Sequence, residues 1–148
     1  MKRTLYRRAP APLPLLPHFS TRLINEEDDA ALADLMERAY AGTIDEQLGG
    51  TSDGAVEIAA WRPTSVPDAS FVVHENGIVA ASLISRHDND FWLGYVITHP
   101  DWKNKGLGTA VVAASLRALD APVLAAVTDG NIPSERLLAA LGFTPVPR

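Results

Sequence analysis

An apolar run of strand length, Phe91 to Ile97, leads into Thr98-His99-Pro100-Asp101-Trp102-Lys103-Asn104-Lys105-Gly106-Leu107-Gly108-Thr109, and an apolar helical pattern, Ala110 to Leu119, follows. No other stretch restricts the fold as much. A strand that ends in a basic, glycine-bearing turn and opens into a helix gathers unpaired backbone N–H groups, the positive end of a helix dipole and lysine side chains at one point. Such a point holds a phosphate. Beyond the helix, Pro122 to Thr128 is again apolar and of strand length. Strand, helix and strand then make a parallel, right-handed crossover.

Upstream, Phe71 to Glu75 and Ile78 to Arg86 flank Asn76-Gly77, which supplies the two positive φ angles of a type I′ hairpin turn. The polar turn His87-Asp88-Asn89-Asp90 leads from this hairpin into Phe91, so the three strands form an antiparallel meander. Earlier still, Thr21 to Ile24 reads as a short first strand. Asn25 then caps a helix with an acidic first turn, whose buried face is Leu32, Leu35, Met36, Ala39 and Tyr40. Ala41 to Gly54 is expected to be a loop or broken helix. Asp53 to Trp61 forms a second helix stopped by Arg62-Pro63, with Trp61 as a core anchor. After the crossover, Asn131 caps a last helix with Leu137, Leu138 and Leu141 facing inward and Gly142 ending it; Phe143 to Val146 adds a short strand. The expectation is an α/β fold of the α+β kind, a mixed, mainly antiparallel sheet flanked by about four helices.

With 148 residues the chain fits one domain, residues 20–148, preceded by a basic arm at residues 1–19. Pro10, Pro12, Pro14 and Pro17 keep that arm extended and interrupt any apolar segment a secretory signal would need. No apolar run reaches the length of a membrane span. The chain has no cysteine, which excludes disulfides, thiolate metal sites and cysteine nucleophiles and fits a reducing, cytoplasmic setting. A net charge of -5 argues against nucleic-acid or membrane-surface binding. Ten of the 18 acidic residues lie between Glu26 and Glu57, a distribution that suits either a cationic acceptor or solvated helix faces. His18 and His74 lack companions at metal-ligand spacing, so no metal site is expected.

The order strand, helix, helix, meander, helix, strand, helix, strand resembles the GNAT family of N-acetyltransferases from about Thr21 onward. That family places Arg or Gln, two variable residues, Gly, one variable residue and Gly or Ala where Lys103-Asn104-Lys105-Gly106-Leu107-Gly108 stands here. Pro100 and Trp102 before this turn, and Asn131, Ser134 and Leu141-Gly142-Phe143 in the last helix, are similar to the family as well. A Walker phosphate loop and a dinucleotide fingerprint are both excluded by the glycine spacing.

The resemblance implies acetyl-CoA as cosubstrate and a primary amine as acceptor, on a small molecule or a peptide N-terminus. It places the coenzyme A pyrophosphate on the amides of Asn104, Lys105, Gly106, Leu107, Gly108 and Thr109, with charge from Lys103 and Lys105 and further contacts from Asn131 and Ser134. The pantetheine arm would pair with Val96, Ile97 and Thr98. The family is often dimeric, which makes a homodimer one expected assembly. The C-terminus also stops about one strand short of the family pattern, leaving that strand to the N-terminal arm or a second subunit.

Two departures concern catalysis. The family's tyrosine, seven residues after the Asn of the last helix, is Leu138 here, and the carboxylate many members carry on the fourth strand is replaced by Trp92 and Gly94. Tyr95, His99 and Ser134 are the remaining catalytic candidates. The alternative is a coenzyme A-binding or regulatory module that has lost its catalytic acid.

Overall fold

A computed structural model describes residues 2–16, 18–41, 43 and 53–147. Strands β1 (Arg3–Arg8), β2 (Arg22–Leu23), β3 (Phe71–His74), β4 (Ile78–His87), β5 (Asp90–Thr98), β6 (Val123–Thr128) and β7 (Thr144–Pro145) form one sheet in the order β2-β3-β4-β5-β6-β1-β7. Its ladders are antiparallel except β5 with β6. Helices α1 (Asp29–Tyr40) and α2 (Gly54–Trp61) cover one face, α3 (Leu107–Leu119) and α4 (Ile132–Ala140) the other. The mixed sheet and the four helices among the described residues match the sequence reading. The loop expected over residues 41–54 falls largely on residues 42 and 44–52, outside those described.

Each face has its own core, as alternation along a strand requires. Leu32, Leu35 and Met36 of α1 and Ile58 and Trp61 of α2 pack on Val72, Ala81, Leu83 and Ile97. Val112, Ala113 and Leu116 of α3 and Leu138 of α4 pack on Tyr6, Ile84, Leu93, Ala125 and Val127. No described helix is long and apolar enough to cross a membrane.

The proline-punctuated start is more than a loose extension. Arg3–Arg8 lies between β6 and β7, pairing antiparallel with β6 over its whole length, from Arg3↔Thr128 to Arg8↔Val123. The N-terminal segment thus supplies an interior strand of the sheet, between β6 and β7. Tyr6 and Arg8 point into the α3/α4 core, whereas Arg3 and Arg7 are exposed on the opposite face. Arg8 is 4% exposed; its Nε donates to Leu141 O at 2.6 Å and its Nη2 to Ala11 O at 2.7 Å, so part of the basic start serves packing, a cation at the C-terminal end of α4. After β1 the chain lays Leu13 and Leu16 on the α3/α4 core and Phe19 beside Leu107 and Val111.

The outer strands are shorter than expected. At β2, Asn25 turns the chain into the capping box it forms with Asp28, which ends the strand at Leu23. At β7, Pro145 has no N–H for the ladder, and only Val146 N, donating to Leu5 O at 2.8 Å, extends the pairing.

Helix α2 is locked onto α1 at both ends. Arg62 Nε donates to Asp29 Oδ1 at 2.8 Å, and Gly54 sits so close to α1 that a Cβ would overlap the Ala33 carbonyl. Gly54→Ala should therefore force the two helices apart and destabilise the protein by about 1–3 kcal/mol. The midpoint of urea unfolding reads this, and an unchanged midpoint would contradict the close packing.

Candidate active site

The β5–β6 junction is where the sheet opens. The two strands pair only at Phe91↔Val123 and Trp92↔Leu124. Beyond that point, Leu93 to Thr98 of β5 keep their ladder to β4, and Ala125 to Thr128 of β6 keep theirs to β1, but no pairing joins the two strands. A bulge explains the parting. Leu83 pairs with Tyr95 and Ile84 with Leu93, so Gly94 is an extra residue on β5, and such a residue bends and twists its strand. The result is a wedge with a row of backbone donors and acceptors along β5.

The turn before α3 closes the wide end of this wedge. Residues Pro100–Trp102 form a single 3-10 turn in which the Asp101 N–H donates to His99 Nδ1 at 3.1 Å and the Trp102 N–H to His99 O at 2.8 Å. Asn104 (φ 63°) and Gly106 (φ 87°) are left-handed, and Gly106 stands at the N-cap of α3. A glycine there has no side-chain acceptor to offer, and no side chain caps the helix. The amides of Leu107, Gly108 and Thr109 therefore sit at the positive helix end without an intrahelical acceptor. They also sit beside β5: a Cβ on Gly108 would lie 3.5 Å from Thr98 Oγ1, 3.6 Å from Val96 Cγ1 and 3.1 Å from Leu137 Cδ1.

The two lysines of the turn take other positions. Lys103 Nζ donates to Ala39 O at the C-terminal end of α1, at 3.5 Å, and Lys105 Nζ stands 5.0 Å over the Trp102 ring. What the turn offers an anion directly is backbone. A phosphate group fits this arrangement, because uncapped amides and a left-handed glycine leave room and donors for its oxygens.

On the α1/α2 side of the wedge, the Tyr95 hydroxyl of β5 donates to Glu57 Oε2 of α2. Burial, followed by the Glu57 carboxylate, pushes the Tyr95 phenol far above its usual range; Tyr40 at the end of α1 adds to the shift and Arg3 of β1 opposes it. Glu57 is held in place by its helix, whose N-cap is Asp53, accepting from Val56 N at 3.1 Å, and whose last residue, Trp61, donates from Nε1 to Ile84 O at 3.1 Å. Sequence reasoning missed Glu57, which merged into the acidic stretch of the first half. The available signal was its spacing, one helical turn before the inward-facing Trp61.

Of the sequence candidates, Tyr95, Val96, Ile97 and Thr98 lie on β5 where it leaves β6, and Asn104 to Thr109 form the turn at its end. His99 is engaged within that turn. Asn131 caps α4, its Oδ1 accepting from the Ser134 N–H at 3.3 Å. Leu138 is 2% exposed in the core beside Tyr6, so the position of the family tyrosine is filled by packing. Among the described residues no group of three or more His, Asp or Glu side chains is placed to hold a metal ion.

The family model for the acetyltransferase (GNAT) family matches residues 30–143, and this chain belongs to that family. Among solved structures, a GNAT-family N-acetyltransferase from Sphaerobacter thermophilus superposes with a TM-score of 0.69 at 18% identity, over 97% of this chain and 48% of that one. The ribosomal-protein-S18-alanine N-acetyltransferase of Escherichia coli gives 0.66 at 18% identity, over 86% and 79% of the two chains. A GNAT acetyltransferase from Brucella melitensis, solved with acetyl-CoA, gives 0.56 at 20% identity, over 70% and 71%. These likenesses show the fold, and this chain spans about half the length of the Sphaerobacter protein. No protein of curated function matches the sequence.

Proposed function

We propose that this protein is an N-acetyltransferase that passes an acetyl group directly from acetyl-CoA to a primary amine, carried by a small molecule or a peptide N-terminus. The observation that supports this reading most is the β5–β6 wedge with the uncapped N-terminus of α3 at its open end. The amides of Asn104 to Thr109 hold the pyrophosphate, with Lys103 and Lys105 adding to the local positive field. Val96, Ile97 and Thr98 present the β5 edge to the pantetheine arm as a neighbouring strand would, while Asn131 and Ser134 bound the far side. The acetyl group then lies toward the narrow end of the wedge, near Tyr95, and the amine approaches from the α1/α2 face. The absence of cysteine fits work in the cytoplasm.

The second reading, a coenzyme A-binding or regulatory module, is favoured by one observation: Leu138 fills the core where the family carries its phenol. Two measurements on the wild-type chain separate the readings. Acetyl-CoA at a hundredfold its Kd should stabilise the fold by about 2.7 kcal/mol, seen as a raised melting temperature. Release of free thiol across a panel of amines should follow. Stabilisation without thiol release favours the binding module, and an unchanged melting temperature at millimolar acetyl-CoA overturns both.

A further inference from the structure

We propose that Glu57 is the catalytic residue that takes the proton from the acceptor's ammonium nitrogen, with Tyr95 as its positioning residue; this rests on the acetyltransferase reading above. A primary alkyl amine resembles the lysine side chain, with a pKa of roughly 10.4, and is almost wholly ammonium at neutral pH. Only the neutral form has a lone pair for attack. A protein that acetylates amines needs a proton acceptor on the amine side of the wedge.

From Leu93 to Thr98, where β5 borders the wedge, the exposed and half-buried positions are Gly94, Tyr95, Val96 and Thr98, and the strand carries no carboxylate. The neighbouring helix does. Glu57 reaches β5 from α2 and meets Tyr95, the first residue after the Gly94 bulge, on the α1/α2 side. The helix end that suits the pyrophosphate lies on the other side, with Gly108 against Val96 and Thr98. A thioester running along β5 would thus have the anion-holding turn behind it and Glu57 in front of it. Among the described residues Tyr95 is the hydrogen-bond partner of Glu57, bound at Oε2, which leaves Oε1 to receive an ammonium proton.

The surrounding groups define the role of Tyr95. Tyr40 at the end of α1, Arg3 at the start of β1 and Glu57 itself act on its phenol, and Asp53 stands one turn earlier on α2. Held above its ordinary range, the phenol keeps its proton through neutral pH. It therefore donates to Glu57 and fixes the carboxylate, and it is a poor proton source for a departing thiolate, whose own pKa is roughly 8.5. In the step itself, Glu57 takes one N–H proton of the ammonium and the nitrogen lone pair forms the C–N bond at the thioester carbonyl carbon. The C–S bond breaks, a second N–H proton passes through water to the thiolate sulfur, and Glu57 returns its proton to solvent. One amide, one thiol and one released proton result.

The test measures thiol release by wild type, Glu57→Gln and Tyr95→Phe as a function of pH, with the acetyl-CoA melting shift as a check on folding and cofactor binding. Glu57→Gln should keep the wild-type shift and lose about 10²–10⁴-fold in kcat/KM. The loss should shrink for a weakly basic amine that is already neutral at the assay pH. Tyr95→Phe should keep the melting shift and lose less kcat than Glu57→Gln, with a loss that also shrinks for weakly basic amines, because the carboxylate is still present but no longer fixed in orientation by the phenol. Wild-type turnover with an unchanged Glu57→Gln rate overturns the assignment alone. So does an equal loss for strongly and weakly basic amines, which would leave Glu57 as a tie between α2 and β5. A wild type that binds acetyl-CoA and acetylates no amine overturns the transfer reading and this assignment with it.

Discussion

Deleting residues 1–9 should leave a chain that does not fold cooperatively. β1 is an interior strand: its ladder runs from Arg3↔Thr128 to Arg8↔Val123 on one side and through Tyr6 and Arg7 to β7 on the other. Its loss would bare the backbone of β6 and strand β7, and buried backbone groups without partners are costly. It would also remove Tyr6, 8% exposed in the α3/α4 core, where truncating an aromatic side chain alone costs about 3–5 kcal/mol. Arg8 and its bond to the Leu141 carbonyl would go as well. Against a total stability of about 5–15 kcal/mol, these losses together exceed what one domain tolerates. Circular dichroism on heating reads the outcome, and a truncated chain that melts cooperatively near the wild-type temperature would contradict the interior position of β1.

Gly106→Glu should abolish the melting shift with acetyl-CoA while leaving a folded protein. The position has φ 87°, which a residue with a Cβ adopts at a cost of about 1–3 kcal/mol, so a modest fall in melting temperature is expected. The effect on binding is far larger. The new carboxylate would stand at the N-cap of α3, where it can accept from the uncapped amides and repel a pyrophosphate from the same place. Gly106→Ala carries the backbone strain without the charge and should retain part of the shift. Equal shifts in wild type and Gly106→Glu would refute the assignment of this turn.

How much of this was legible in the sequence depended on how local the determinants are. Asn76 and Gly77 both have the expected positive φ, so the reversal is local, but it spans three residues, Glu75 to Gly77, between the paired His74 and Ile78 and not the two of a type I′ turn. The apolar run, glycine turn and helix around Gly106 likewise carry their own geometry, so the crossover and the phosphate-suited helix end could be read directly. β1 could not. Arg3, Arg7 and Arg8 hide the alternation that places Tyr6 in the core, and the prolines that follow suggest an extended arm; only the partner strands β6 and β7, distant in sequence, make residues 3–8 a strand.

Long flexible side chains were similarly illegible. Lys103 and Lys105 belong to a turn suited to anions, yet one reaches the end of α1 and the other stacks on Trp102, because those partners are brought near only by the fold. Glu57 and Tyr95 are far apart in the chain, and neither alone differs from a solvated acid or a strand tyrosine. Their pairing depends on how α2 lies across the sheet, which the Gly54 contact with α1 and the Trp61 bond to β4 determine.

The central claim is that the wedge between β5 and β6, with the turn before α3, holds coenzyme A. A crystal structure of the chain with coenzyme A tests it most directly. The expected result has the pyrophosphate on the backbone amides within residues 104–109 and the pantetheine arm along Val96 to Thr98, its sulfur pointing toward Tyr95 and Glu57. Coenzyme A bound elsewhere, with the amides of Leu107, Gly108 and Thr109 facing solvent, would contradict it.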